Sequence, residues 1–317
     1  MTGYTEILTD PSYRGEIMVF SSPTIANYRW SEEAMESGSI QVSGAVTRDS
    51  HSVLRGGYSL DEILKKYDVP GIDLVDTRTL ILKIRESGVM RGVISDSPDV
   101  PDAFMDTMEK SLVSEVVSQE VTRTGDGSRP TCLLIDTGAK RSLVRKMSQV
   151  ADLIIVPYNM DPAKYYGESD FVFLPNGPGD PAHESLSGLR RYISTIAGEK
   201  PLIGVCLGHQ IISLASGCRT YKMKYGHRGS NHAVTDGRRT WISSHNHGYA
   251  VSADSLHDST LSMAQWDIND GTVEMVRNEE QMILATQYHP EGAPGSHDLY
   301  WFFDLVRKIV EDSVASR

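Results

Sequence analysis

Three residues of this 317-residue chain have the types and the order that thiol-based acyl transfer needs: Cys206, His289 and Glu291. Cys206 lies in Gly204-Val205-Cys206-Leu207-Gly208-His209-Gln210, approached by the apolar Pro201-Leu202-Ile203 and followed by 211–215 in helical register. That pattern predicts a strand, a tight turn and a helix, with Gly204 and Gly208 tolerating crowded backbone on either side of the cysteine. A thiol at such a turn faces free N–H groups and the positive end of a helix dipole. Both favour the thiolate and the oxyanion formed when it attacks a carbonyl. The arrangement is a nucleophile elbow with cysteine in place of serine. In His289-Pro290-Glu291, side chains at i and i+2 of extended chain project the same way, and Pro290 biases His289 away from helix. An imidazole can then act as base for the thiol while the carboxylate fixes its tautomer. Most His-x-Glu strings are surface decoration; this one follows a predicted strand at 282–287, with the elbow cysteine upstream.

Other polar clusters carry weaker signals. Asn176-Gly177-Pro178-Gly179-Asp180-Pro181 follows a predicted strand at 171–174. A turn so rich in Gly and Pro holds bare N–H groups rigidly toward a ligand, although an ordinary β-turn would read the same. It lacks the Gly-Lys-Ser/Thr ending of a phosphate loop. Ser244-His245-Asn246-His247-Gly248-Tyr249 reads as a polar loop. His245, His247 and His289 could be taken for a metal cluster, but no carboxylate stands near them in sequence, so ligand recognition by backbone and Asn246 is expected instead. No Cys-x-x-Cys pair occurs, and His227 and His232 stand alone in a Gly-rich stretch, so no metal site is expected. Cys132 and Cys218 lack elbow glycines and are read as buried and passive. Tyr221-Lys222-Met223-Lys224-Tyr225-Gly226-His227 has too little charge for a nucleic-acid patch and reads as a contact surface or loop.

The elements that must position these groups change character along the chain. In the first 120 residues the patterning predicts a strand at 17–20, a helix at 59–67 started by Ser59 with Glu62, a helix at 77–87 ended by Gly88, a strand at 89–94 and a helix at 101–118. Arg55 and Arg78 read as solvated surface. Residues 121–130, with Thr124-Gly125-Asp126-Gly127-Ser128, offer no apolar face and are expected to be a surface linker. From 131 to 317 short apolar runs alternate with helical segments: strands at 131–136, 153–157 and 171–174, a helix at 139–149 and the strand before Cys206. Further strands are expected at 241–244, 261–266, 273–277 and 282–287, and a closing helix at 301–310. The expected fold is therefore α/β, a domain with a mainly parallel central sheet whose ligands gather beyond the strands' carboxyl ends, preceded by a smaller α+β domain.

Composition sets outer bounds. Lys plus Arg total 31 against 42 Asp plus Glu, a formal charge of -11, which argues against a nucleic-acid partner. Three cysteines form no disulfide framework, and neither a signal peptide nor an apolar run long enough to span a membrane is present, so a soluble cytoplasmic protein is expected.

The elbow and His289-Pro290-Glu291 resemble the class I (triad) glutamine amidotransferases. The opening string from Met1-Thr2-Gly3-Tyr4 to Tyr13, Asp76-Thr77-Arg78, Lys222 to His227 with Asn231-His232, and Asn246-His247-Gly248 resemble the small, glutamine-hydrolysing chains of carbamoyl phosphate synthase. The resemblance implies Cys206 as nucleophile, His289 as base and acid, Glu291 as orienting carboxylate, and glutamine contacts from Gly177, Gly179, Leu207, Gln210, Asn246, Gly248 and Tyr249. It also implies a large-chain partner that holds ATP and magnesium, with no cofactor in this chain. A serine on a stretch preceding the Met-Thr-Gly-Tyr string also touches glutamine in that family. The sequence here begins at Met1, so the first domain is expected to be truncated, through a start codon assigned too late. Two alternatives compete: service to another synthetase, such as those making guanylate or anthranilate, and a non-catalytic assembly or regulatory subunit.

Overall fold

A computed structural model describes residues 3–50, 58–97 and 110–316, and the chain divides into two compact units, Met1–Leu112 and Val113–Arg317. In the first unit, helix α1 (Tyr4–Thr9), strands β1 (Ile17–Val19) and β2 (Gly44–Val46), helix α2 (Leu60–Lys66), strand β3 (Gly71–Ile72) and helix α3 (Thr77–Ser87) follow in order. The strands form a parallel sheet in the order β1-β2-β3. Tyr4, Leu8, Phe20, Ile25 and Ile63 form its core. Helix α2 starts where its sequence says it should: Ser59 Oγ accepts the Glu62 N–H at 3.2 Å, and Glu62 accepts the Ser59 N–H at 2.8 Å. Helix α3 ends at Gly88, whose φ of 92° is open to glycine at little cost. The strand expected at 89–94 does not form. Among the described residues that run joins no sheet ladder, and Val89, Met90 and Val93 are exposed, so burial does not hold it as a strand. Most of the helix expected at 101–118 lies outside the described residues, as does Arg55; Arg78 is exposed.

The second unit contains, in order, β4 (Thr122–Thr124), β5 (Thr131–Asp136), α4 (Arg141–Met147), β6 (Asp152–Pro157), α5 (Ala163–Tyr166), β7 (Phe171–Leu174), α6 (Ser187–Ile196), β8 (Leu202–Val205) and α7 (Leu207–Ala215). Then come β9 (Thr220–Thr235), β10 (Thr240–Val251), β11 (Ser262–Asp267), β12 (Val273–Asn278), β13 (Ile283–Thr286) and α8 (Trp301–Ala315). Among the described residues they make a ten-stranded sheet in the order β10-β9-β11-β12-β13-β8-β7-β5-β6-β4. The central run β13-β8-β7-β5-β6 is parallel and both flanks are antiparallel, so the parallel character belongs to the centre. The reason is compositional: β5, β7, β8 and β13 are near-continuous apolar runs, buried on both faces. Alternate β5 residues serve opposite layers. Leu133 and Ile135 pack with α6 and α7, while Cys132 and Leu134 pack with α4 and α8.

Three expectations need correction here. Part of 121–130 is not loose linker: β4 pairs antiparallel with β6 at the sheet edge, and Asp152 accepts the Gly127 N–H at 2.6 Å. An edge strand needs backbone pairing rather than an apolar face, so composition did not betray it. The stretches 221–227 and 244–249, read as loops, lie instead inside the long hairpin β9–β10, which carries register shifts at Ser243/His245 and His247/Tyr249. Helix α4 is shorter than 139–149, because 137–140 is held in a turn by Asp136, which accepts the Gly138 and Ala139 N–H groups at 2.9 Å each.

Candidate active site

Four neighbouring parallel strands end at one rim, and each delivers part of the site. Strand β8 runs into Cys206, which takes φ 55° and ψ -105° before α7 begins at Leu207. A non-glycine residue with this backbone is strained, and the tight packing around it holds it there. A Cβ on Gly208 would strike the Leu174 carbonyl, and one on Gly204 would lie 2.9 Å from His209 N, so both glycines are sterically required. The Leu207 N–H, first in α7, has no intrahelical acceptor and points out of the turn with the helix dipole behind it.

Strand β7 ends in the Asn176–Pro181 turn. Asn176 is fully buried and anchors it: its Oδ1 accepts the Lys140 N–H at 3.1 Å, and its Nδ2 donates to the Gly138 carbonyl at 2.9 Å. Gly177 must be glycine because a Cβ would strike the Thr137 carbonyl and sit 2.7 Å from Leu207 Cδ2; Gly179 adopts φ 90°. The turn therefore lies directly against the elbow.

Strand β13 leads to Gln287, His289 and Glu291. His289 Nδ1 and Glu291 Oε1 are 2.7 Å apart, and both residues are buried. His289 Nε2 has no other hydrogen-bond partner and is left for the thiol. Strand β5 leads to Lys140, whose ammonium, 3% exposed, lies 2.7 Å from the same Glu291 oxygen and donates to the Ala293 carbonyl at 2.9 Å. Burial disfavours charge on both His289 and Glu291, yet their neighbours overcome it. For Glu291, the Lys140 ammonium and the His289 ring hold the carboxyl well below the usual carboxylate range. For His289, burial and the Lys140 charge push down, while Glu291 and Cys206 pull the ring up to about 10. The surroundings of His289 thus favour its protonated form.

The hairpin closes the site from the other side. The Asn246 carbonyl is 3.7 Å from Cys206 Sγ, and Asn246 Nδ2 is buried without a partner, free to meet a ligand. Gln210 Nε2 donates to the Tyr249 carbonyl at 2.7 Å and to Gln287 Oε1 at 2.8 Å; Gln287 Nε2 in turn reaches Cys206 Sγ at 3.7 Å. Gly248 sits between Asn246 and Tyr249 on β10, while the Tyr249 ring turns toward Lys222, whose Nζ is 6.0 Å from its centroid. Lys140 and Gln287 carry no signal in spacing alone; the Thr137-Gly138-Ala139-Lys140 turn at the carboxyl end of β5 is the one clue available. Cys132 and Cys218 are buried, and burial pushes both thiols up. The metal reading is corrected in one respect: His245 and His247 do have a carboxylate beside them, Glu274, and the third histidine of that cluster is His227, not His289.

The description "Carbamoyl-phosphate synthase small chain, CPSase domain" matches residues 1–94, and "Glutamine amidotransferase class-I" matches residues 133–309. Carbamoyl phosphate synthase small chains of Thermoplasma acidophilum, Aquifex aeolicus and Methanocaldococcus jannaschii are 46%, 39% and 38% identical. The alignments cover 98–99% of this chain and 90% of each relative. A crystal structure described as a "putative gmp synthase subunit a protein" from Thermoplasma acidophilum matches in fold, with a TM-score of 0.50 and 22% identity over 61% of this chain and 98% of that one. Matched at both ends of its length, the chain belongs to the carbamoyl phosphate synthase small-chain family.

Proposed function

We propose that this chain is the glutaminase subunit of a glutamine-dependent carbamoyl phosphate synthase and that Cys206, His289 and Glu291 are its catalytic residues. The observation that carries this is the strained Cys206 at the head of α7, at the same buried rim as His289, whose Nδ1 lies 2.7 Å from Glu291. The Cys206 thiolate attacks the side-chain carbonyl carbon of L-glutamine, forming a C–S bond. The oxyanion is received by the Leu207 and Gly179 N–H groups. As the C–N bond breaks, His289 gives its proton to the leaving nitrogen, releasing ammonia and a γ-glutamyl thioester. The ring, now neutral, takes a proton from water, whose oxygen displaces the sulfur to give glutamate and restore the starting pair. Gln210, Asn246, Gly248, Tyr249 and Gly177 line the glutamine subsite. Asn246 Nδ2, buried and unpaired, supplies a donor suited to the substrate's polar groups.

In this reading residues 131–317 make ammonia and residues 1–120, with the segment 121–130, belong to the small-chain portion of the assembly. A large-chain partner consumes the ammonia and holds ATP and magnesium. Among the described residues no helix is long and apolar enough to cross a membrane, and we place the complex in the cytoplasm. The test is Cys206→Ala in the purified two-chain complex. Glutamine hydrolysis should fall by about 10⁴-fold or more, while carbamoyl phosphate formation from added ammonia persists. Unchanged glutamine turnover would remove Cys206 from the chemistry. Loss of both activities would favour an assembly role.

A further inference from the structure

His227 on β9, His245 and His247 on β10 and Glu274 on β12 are all buried, with one ligand atom from each lying within 4.8 Å of the others. Hydrogen bonds on the outside of this cluster fix which nitrogens face in. His247 Nδ1 is 2.8 Å from the Tyr249 carbonyl, which can only accept, so the proton is on Nδ1 and Nε2 presents a lone pair. His227 Nε2 is 2.9 Å from Asp270 Oδ2, which places a proton on Nε2, and in the neutral ring Nδ1 presents a lone pair too. His245 Nε2 is 2.6 Å from Ser243 Oγ, whose own proton goes to the His232 carbonyl at 3.0 Å; the ring must donate there, which leaves Nδ1 as a lone pair.

These three lone pairs converge on Glu274. His227 Nδ1 and His245 Nδ1 lie 3.6 Å from its two oxygens, and His247 Nε2 lies 4.0 Å away. His245 Nδ1 and His247 Nε2 are 3.2 Å apart with no proton left for either to give. His227 Nδ1 and both Glu274 oxygens have no hydrogen-bond partner. Acceptors facing acceptors in a buried space repel unless a cation sits among them. One shared proton could bridge a single pair, and 3.6 Å is too long for a strong bond.

We propose that His227, His245, His247 and Glu274 form a buried divalent-cation site whose donor set suits zinc. With zinc bonds of about 2.0–2.2 Å, ligand atoms at the corners of a tetrahedron lie about 3.4 Å apart. The His245–His247 separation of 3.2 Å and the three histidine–glutamate separations of 3.6 to 4.0 Å bracket that value, and all the ligand atoms lie within 4.8 Å of one another. Each histidine has an outer acceptor, as metal-bound imidazoles do: a carboxylate, a hydroxyl and a carbonyl. One carboxylate and three neutral imidazoles leave a dication with a single net positive charge, and Asp270 lies just outside. The ion would tie β12 to the β9–β10 hairpin on either side of Asn246. None of the four ligands belongs to the triad, so the site stands independently of the glutaminase reading.

The test is metal binding by the full chain. Protein stripped with a chelator is titrated with zinc ion against a chromophoric competitor, and separately with cobalt(II). About one equivalent should bind, and bound cobalt should show the intense visible bands of a tetrahedral ion. Glu274→Gln and His245→Gln should each weaken zinc binding by at least about 100-fold, with folding checked by circular dichroism. A wild-type chain that takes up less than about a tenth of an equivalent overturns the proposal whatever the variants do. So does full uptake that survives both substitutions, or a cobalt spectrum of the hydrated octahedral ion.

Discussion

Around Glu291 charges alternate: one oxygen meets the Lys140 ammonium and the His289 ring at 2.7 Å each. Around Glu274 three imidazole nitrogens and two carboxylate oxygens meet one another; among the described residues His227 Nδ1 and both carboxylate oxygens have no hydrogen-bond partner, and His245 Nδ1 and His247 Nε2 face each other at 3.2 Å. Both groups are buried histidine–glutamate clusters in the same unit, yet their charges settle differently. Burial holds the His245 and His247 rings well below their usual value and raises the Glu274 carboxyl to about 8, while only His227 is lifted against burial, to about 9, by Glu274 and Asp270. Against the same penalty, His289 is raised to about 10. The difference lies in a built-in cation. Lys140 favours the Glu291 carboxylate, and the carboxylate favours the protonated His289 ring; among the described residues Glu274 meets no lysine or arginine, and the second cluster is suited to a cation from solution.

Removing the built-in cation should make the first cluster behave like the second. In Lys140→Met, Glu291 loses one of two partners inside a buried pair, a change that costs about 3–5 kcal/mol. The urea midpoint should drop accordingly, and glutamine hydrolysis should fall by about 100-fold as His289 loses its fixed orientation. A variant with wild-type midpoint and turnover would show that Lys140 is an onlooker.

How much of each cluster is legible in the sequence follows from where its parts come from. Cys206 with its flanking glycines, and the His289–Glu291 pair at i and i+2, are local patterns, and strand and helix periodicity suffice to place them. The central strands are equally legible, because sheets buried on both faces leave continuous apolar runs. Lys140 is not, since it stands far before Glu291 in the chain and meets it only because β5 and β13 end at the same rim. The hairpin escapes sequence reading for a related reason. Its inward positions alternate as His245 and His247 rather than as apolar residues, so a period of two looks like polar loop. Glu274 is hidden in turn by Val273, Met275 and Val276, which mark the segment as an ordinary core strand.

A gentler change sharpens the other side of the comparison. Ser243→Ala removes the acceptor that holds the His245 proton on Nε2, without replacing a ligand residue. With that tautomer no longer fixed, zinc affinity should weaken by about 10–100-fold, less than loss of Glu274 itself. Equal affinity in Ser243→Ala and wild type would mean that the inward lone pair of His245 does not depend on this bond.

The smallest effect is a slope. His289 ordinarily titrates at 6.5 and is raised to about 10 in the fold, so its contribution to stability is complete below pH 6.5 and is lost as pH rises toward 10. Glu291 is shifted down from 4.5, so its contribution is complete above pH 4.5 and is lost in acid. Both are in place between those values. Above about pH 6.5, wild-type stability should decline by at most about 1.4 kcal/mol per pH unit for this one proton. His289→Gln cannot take up that proton on folding. It should be less stable at about pH 6.5 and should lose the slope, so the two urea-midpoint curves converge only above about pH 10. Because the second cluster is present in both proteins, its own titration cancels in the difference. Parallel curves would show that the charge on the triad is not held by the His289 ring, and the contrast between a cation built in and a cation taken up would lose its first half.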